Sequence, residues 1–163
     1  APLGTACMAG PLSFAGGTRV GTVAGGVFGQ TAPRERPFLG DAAGLTDIPR
    51  VDIVSAYPGA DSTAIDACIA AGARGLVIEA VGHGNAGTAV VEAVRNATSR
   101  GIAVAITTRI AGIHARAVYG PGYDLIEAGA VMVPTLRTSQ ARVLLMAALA
   151  MELPLGDVAG RWG

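Results

Sequence analysis

The residues of this chain that could do chemistry fall in three short stretches: Tyr57-Pro-Gly-Ala-Asp61, Glu79-Ala-Val-Gly-His-Gly-Asn-Ala-Gly87 and Thr107-Thr-Arg109. The middle stretch carries the strongest signal. Gly82, Gly84 and Gly87 let the backbone come close to another group, while His83 and Asn85 supply polar atoms between them. A glycine-rich turn that enters a helix can cradle a phosphate on the helix amides. Here the G-x-G-x-x-G run from Gly82 to Gly87 follows the second strand of the pattern rather than the first, and the acidic residue that should stand about twenty positions on is missing. A nucleotide site is therefore poorly supported.

Each polar residue also has a plain structural use. Asn is among the best helix caps, so Asn85 could simply cap the helix that follows, and the pattern fits capping and ligand binding equally well. His83 has no Ser or Asp in evident relay with it. Glu79 and Arg109 end neighbouring strands and are expected to pair as a structural ion pair. His114, in the polar stretch Ile113 to Arg116, is expected to be solvated. No nucleophile stands beside a base and no metal-ligand spacing is present. All twelve basic residues are arginines, so a mechanism that needs a lysine must borrow it from other sequence. The residues by themselves describe a ligand-competent domain without a complete catalytic set, for which neither a metal nor a cofactor is expected.

The elements that must position these stretches follow from the hydrophobic pattern. After Pro49 the chain alternates strand and helix. Its strands are continuous apolar runs at Val51 to Tyr57, Gly75 to Glu79, Ile102 to Thr107 and Ala130 to Val133, the pattern of a parallel sheet covered on both faces. Helices are expected over Ser62 to Ala71 with Asp61 or Ser62 as cap, around Val90 to Ser99, over Tyr123 to Ala128, and over Ser139 to Glu152 before Pro154. The predicted fold is α/β, a four-stranded parallel sheet sandwiched by helices in a Rossmann-like manner, with ligands beyond the carboxyl ends of its strands. Residues 1–49 read differently. Leu3 to Met8 and Leu12 to Phe14, punctuated by Ala9-Gly10-Pro11, suggest a hairpin. Ala15 to Thr46, rich in Gly, Pro and Arg, reads as an extended linker with one strand at Arg19 to Val23.

Composition narrows the partners. Twelve basic and twelve acidic residues cancel and the arginines are scattered, so a nucleic-acid partner is not expected. The longest apolar runs, such as Val143 to Met151, are shorter than the ~18–20 residues that span a bilayer, and no membrane partner is expected either. Cys7 and Cys68 are too few and too far apart for a framework and read as free thiols. No signal peptide is visible, and no compartment is assigned.

The run Gly75-Leu-Val-Ile-Glu-Ala-Val-Gly-His-Gly-Asn85 resembles the segment of L-asparaginases in which a strand is followed by G-x-G-N. Four further segments resemble that family in the same order. They are Ala1-Pro-Leu-Gly4 with Gly10 to Phe14, Val54 to Asp61, Ile106-Thr-Thr-Arg109, and Tyr123 to Ala130 continuing into Ser139 to Leu149. The resemblance implies the C-terminal domain of a type I/II asparaginase or glutaminase, with residues 50–163 forming that domain and residues 1–49 the hairpin and linker that leave the N-terminal catalytic domain. The implied reaction is hydrolysis of a side-chain amide, asparagine to aspartate plus ammonia. Its threonine nucleophile, second threonine, aspartate and lysine would lie on the N-terminal domain, so no catalytic residue is expected in this chain and none of the activity is expected from it alone.

The resemblance also implies partners: the N-terminal domain, a neighbouring subunit of a homo-oligomer, and a small amino-acid substrate. It assigns substrate binding to Asn85, at the asparagine of G-x-G-N, across a subunit boundary. The stretch Ile110 to Gly122 lacks the carboxylate that some members use to meet the substrate amine. His83 stands where a second asparagine or a small residue is common, which leaves asparagine-versus-glutamine preference open. Two other functions remain compatible: a non-catalytic binding or assembly module, and the asparaginase-like component of a tRNA-dependent amidotransferase.

Overall fold

In the computed structural model, residues 5–6, 14–15, 21–30, 39–41 and 46–162 are described. The chain divides into two compact units, Ala1–Phe38 and Leu39–Gly163.

In the first unit, β1 (Thr5–Ala6) pairs antiparallel with β2 (Phe14–Ala15), the hairpin expected there; its expected turn at Ala9-Gly10-Pro11 lies outside the described residues. The stretch expected to be an extended linker with one strand holds a second hairpin instead. Here β3 (Gly21–Ala24) pairs antiparallel with β4 (Val27–Gln30). Its turn explains the difference. Gly25 and Gly26 have φ of 57° and 79°, the left-handed pair that a two-residue hairpin turn matching strand twist demands. Gly-Gly between Val23-Ala24 and Val27-Phe28 is that turn's signature, and counting glycines as linker composition obscures it. The expected strand at Arg19 begins at Gly21 among the described residues.

The second unit is the expected α/β sandwich. Its sheet has the order β5 (Val51–Ser55), β6 (Gly75–Ala80), β7 (Ala103–Thr108), β8 (Val131–Met132), with every pairing parallel. The crossovers carry α1 (Thr63–Ala70), α2 (Thr88–Ser99) and α3 (Gly120–Glu127). Strands laid down in one direction with right-handed crossovers must put these helices on one face. That face is the larger core, where Leu76, Ile78 and Ala80 of β6 meet Ile65, Val94 and Leu125. The other face is covered by α4 (Thr138–Ala150) and α5 (Leu155–Trp162), with Val51, Val77 and Ala105 packed under Ala141, Leu145 and Ala159. Leu76, Val77 and Ile78 are fully buried, and each such side chain contributes roughly 1.5–3 kcal/mol. Strand β6 is thus gripped from both sides just before the glycine-rich turn.

Three local features depart from or refine the sequence pattern. Helix α3 begins at Gly120, because Pro121 in its first turn is pre-set for helix and lacks only an N–H that would be unpaired there anyway. Helix α5 is not anticipated from the sequence: α4 ends at Ala150, short of the expected Glu152, and Pro154 opens the next helix, its carbonyl accepting from Val158 N–H at 3.2 Å. Eight residues are too short a window for periodicity to announce, yet Val158 and Ala159 are buried, Val158 against Leu144 and Ala148. At α1 the cap position is Ser62, but Asp61 does the capping: its Oδ1 accepts from Thr63 N–H at 2.9 Å, and that bond holds the Asp61 carboxyl below its ordinary range.

Two outcomes test this packing. A Cβ built at Gly75 would lie 2.9 Å from Leu149 Cδ1, 3.0 Å from Leu145 Cδ2 and 3.1 Å from Val51 Cγ2, so α4 sits on the sheet only because that position is bare. Gly75→Ala should destabilise the domain by ~1–3 kcal/mol in urea unfolding, the cost of overpacking a filled core. Cys68 packs against the larger core, and burial pushes its thiol up, with the Asp52 carboxylate adding to the rise and Arg50 opposing it. The folded state therefore favours the protonated thiol. The stability it lends is complete below the ordinary thiol pKa and lost as pH rises through the higher folded value. At neutral pH, Cys68 should alkylate more slowly in the folded domain than in the urea-unfolded chain. Equal rates would contradict this environment.

Candidate functional site

The turn after β6 is built by its glycines. Val81 and Asn85 close it with two backbone bonds, Asn85 N–H to Val81 O at 2.8 Å and Val81 N–H to Asn85 O at 3.1 Å. Between them Gly82 and Gly84 have φ of 54° and 100°, conformations that side-chain-bearing residues rarely adopt. Gly84 is also pressed down on the sheet. A Cβ there would lie 3.2 Å from Met132 Sδ and 3.4 Å from Ile106 Cγ2. The segment after β7 holds the turn from the side: the Thr108 hydroxyl donates to Gly82 O at 2.6 Å, and Arg116 N–H to His83 O at 2.8 Å.

This cradle fixes Asn85, which is 7% exposed. Its Nδ2 donates to the Tyr119 hydroxyl at 2.8 Å, and its Oδ1 faces Gly122, where a Cβ would stand 3.5 Å away. Tyr119 is the N-cap residue of α3 and is 53% exposed, so a buried amide is joined to a phenol that reaches solvent. The capping alternative for Asn85 does not hold. Helix α2 begins after Gly87, with no side-chain bond at its cap. Tyr119 is the site residue that the sequence pattern does not reveal, because a tyrosine thirty-four positions away gives no periodic or spacing signal.

The other candidates fall into different places. Glu79 does not pair with Arg109 as expected. Its carboxylate accepts from Ser55 Oγ at 3.0 Å and Thr138 Oγ1 at 2.9 Å, while Arg109 is exposed beyond the end of β7. Side chains alternate along a strand, so Glu79 points to the α4 face with Val77, where two hydroxyls are within reach. His114 is exposed, as expected, and its Nδ1 also lies 3.2 Å from Pro134 O. His83 is partly buried, with its backbone carbonyl engaged. Tyr57 and Asp61 border a shallow cavity with Val54, Thr63 and Val90, on the α1 side of the sheet. Among the described residues no group of three or more His, Cys, Asp or Glu side chains could hold a metal ion, and no helix is long and apolar enough to cross a membrane.

Residues 50–159, which hold this parallel sheet and its G-x-G-N turn, match the family model described as the Glutaminase/Asparaginase C-terminal domain. The chain belongs to that family. It is 32% identical over 105 residues to L-asparaginase 2 of Bacillus subtilis, covering 64% of this chain and 27% of that protein. It is also 34% identical over 112 residues to a subunit of the glutamyl-tRNA(Gln) amidotransferase of Pyrococcus horikoshii, covering 67% of this chain and 25% of the relative. With L-asparaginase of Bacillus licheniformis the identity is 30% over 106 residues, 63% of this chain and 33% of that protein. The chain thus spans about a quarter to a third of the length of these relatives.

The Asn85–Tyr119 bond makes a direct prediction. Tyr119→Phe removes the oxygen and leaves a buried amide donor without its partner, so stability in urea unfolding should fall by ~1–3 kcal/mol. Unchanged stability would show that Asn85 is held by something else.

Proposed function

We propose that this chain is the C-terminal part of an L-asparaginase-type amidohydrolase, in which Asn85 binds the amino-acid end of the substrate at the active site of a neighbouring subunit. The observation that carries the reading is the state of Asn85 itself: buried, fixed by a glycine turn, and with Nδ2 already engaged by Tyr119. Oδ1 remains as the acceptor, which suits a donor such as the substrate's α-ammonium. Holding that group orients the side-chain amide for attack, so the gain is positional rather than chemical. Nucleophile, activating lysine and carboxylate then come from the N-terminal catalytic domain, in keeping with a chain whose basic residues are all arginines.

A second reading rests on the likeness to the glutamyl-tRNA(Gln) amidotransferase of Pyrococcus horikoshii. The same domain would then serve release of ammonia for tRNA-linked amide synthesis. The discriminating feature is an additional domain upstream of the catalytic one.

The test is Asn85→Ala in the full-length protein, with ammonia release from asparagine and glutamine measured well below the melting temperature. One lost bond to a charged group is worth ~1.5–3 kcal/mol. At about 1.4 kcal/mol per factor of ten, kcat/KM should fall roughly 10- to 200-fold. A variant that is less stable because the Tyr119 bond is gone, but kinetically normal, would remove Asn85 from the substrate site.

A further inference from the structure

Parallel pairing puts Ser55, Glu79 and Thr107 side by side on three adjacent strands, since Ser55 registers with Glu79 and Glu79 with Thr107. All three are on the face that carries α4, Ser55 at the end of its strand and Glu79 and Thr107 one residue before the end of theirs. Thr138, the first residue of α4, completes the group. Its Oγ1 donates to Glu79 Oε1 at 2.9 Å and lies 3.0 Å from Thr107 Oγ1, while Ser55 Oγ donates to Glu79 Oε2 at 3.0 Å. Thr107 is fully buried and Thr138 nearly so. The sheet does not need a polar group here for its own packing, because Val77, two residues earlier on the same face, is apolar and fully buried.

We propose that Glu79 is a positioning residue for the Asn85 turn: its carboxylate ties the carboxyl ends of β5, β6 and β7 to the first turn of α4 and thereby fixes the two strands from which the turn is held. The connection runs through both strands. On β6, Glu79 lies two residues before Val81, whose backbone brackets Asn85. On β7, Thr107 immediately precedes Thr108, whose hydroxyl holds Gly82 O. An ionised carboxylate suits the task because each oxygen accepts a charge-assisted bond, and the start of a helix favours negative charge. Glu79 faces away from the Asn85 side chain: Ile78 and Ala80 point toward the α1–α3 face, and Glu79 toward α4. Its effect on substrate is exerted through the turn.

The kinetic part of this proposal rests on the reading of Asn85 above; the structural part does not. Amide hydrogen exchange in the full-length protein reads the structural part. Glu79→Ala should speed exchange at the Val81 and Asn85 amides about tenfold or more, with Leu76 and Val77 unchanged, and Glu79→Gln, which keeps the shape and can still accept, should restore most of the protection. Ser55→Ala and Thr138→Val, each removing one hydroxyl, give the same readout should Glu79→Ala fail to fold. Protection at Val81 and Asn85 that is unchanged in folded variants overturns the proposal. For the kinetic part, Glu79→Ala should lower kcat/KM in the direction of Asn85→Ala, and the double variant should lose no more than Asn85→Ala alone. Additive losses overturn action through Asn85 while leaving the substrate role of Asn85 intact. A kinetically normal Asn85→Ala overturns that substrate role, and exchange at Val81 and Asn85 then still decides whether Glu79 holds the turn.

Discussion

The register between β6 and β7 is the constraint on which the rest of the site depends. It sets Glu79 beside Thr107 and Ile78 beside Ile106, so that one face near the strand ends is polar and tied to α4 while the other is apolar and continuous with the core. A slip of one residue would exchange the faces, burying the Glu79 carboxylate against Val94 and Leu125 and turning Ile78 and Ala80 toward the hydroxyls. An unpaired carboxylate in such a core costs several kcal/mol, more than a short strand can recover. The apolar pattern and the polar row therefore enforce the same pairing.

How much of this is legible from sequence depends on the range of the interaction. Strands of the sheet and four of its helices are announced by runs and spacings that lie within one segment, and so is the G-x-G-N turn. What the pattern does not show is either short or non-local. Helix α5 is eight residues long, and Tyr119 meets Asn85 from another crossover. The Glu79 case is instructive because the expected partner, Arg109, is suggested by charge and by nearness of strand ends. Strand alternation, which sends Glu79 to the α4 face, decides otherwise, and two neutral hydroxyls at 2.9 and 3.0 Å are available where the guanidinium is not.

The second hairpin shows a different failure. Gly25 and Gly26 belong to a glycine-rich stretch, and composition alone suggests a linker. Position within the stretch carries the information. Two glycines flanked on both sides by apolar residues make a turn with φ positive at both central positions, and the same number of glycines scattered would not.

Asn85 illustrates why identity and spacing leave two roles open and geometry separates them. A capping asparagine sits at the residue before the helix and offers its side-chain oxygen to amides two or three residues on. Here two residues, Ala86 and Gly87, intervene before α2 begins at Thr88, and the bridge with Val81 turns the Asn85 side chain toward α3 instead. With Nδ2 on the Tyr119 hydroxyl, the amide lies between the phenol and Gly122: reversing it would place the NH₂ against Gly122 and bring the carbonyl to the phenol. A tyrosine hydroxyl can donate as well as accept, so the phenol alone does not set the polarity. Gly122 is where α3 comes down on the amide: a Cβ there would lie 3.1 Å from Ala117 Cα and 3.5 Å from Oδ1, so this close approach requires a glycine. Under the proposed reading, that approach helps to hold in place the amide whose oxygen receives the substrate's amino group.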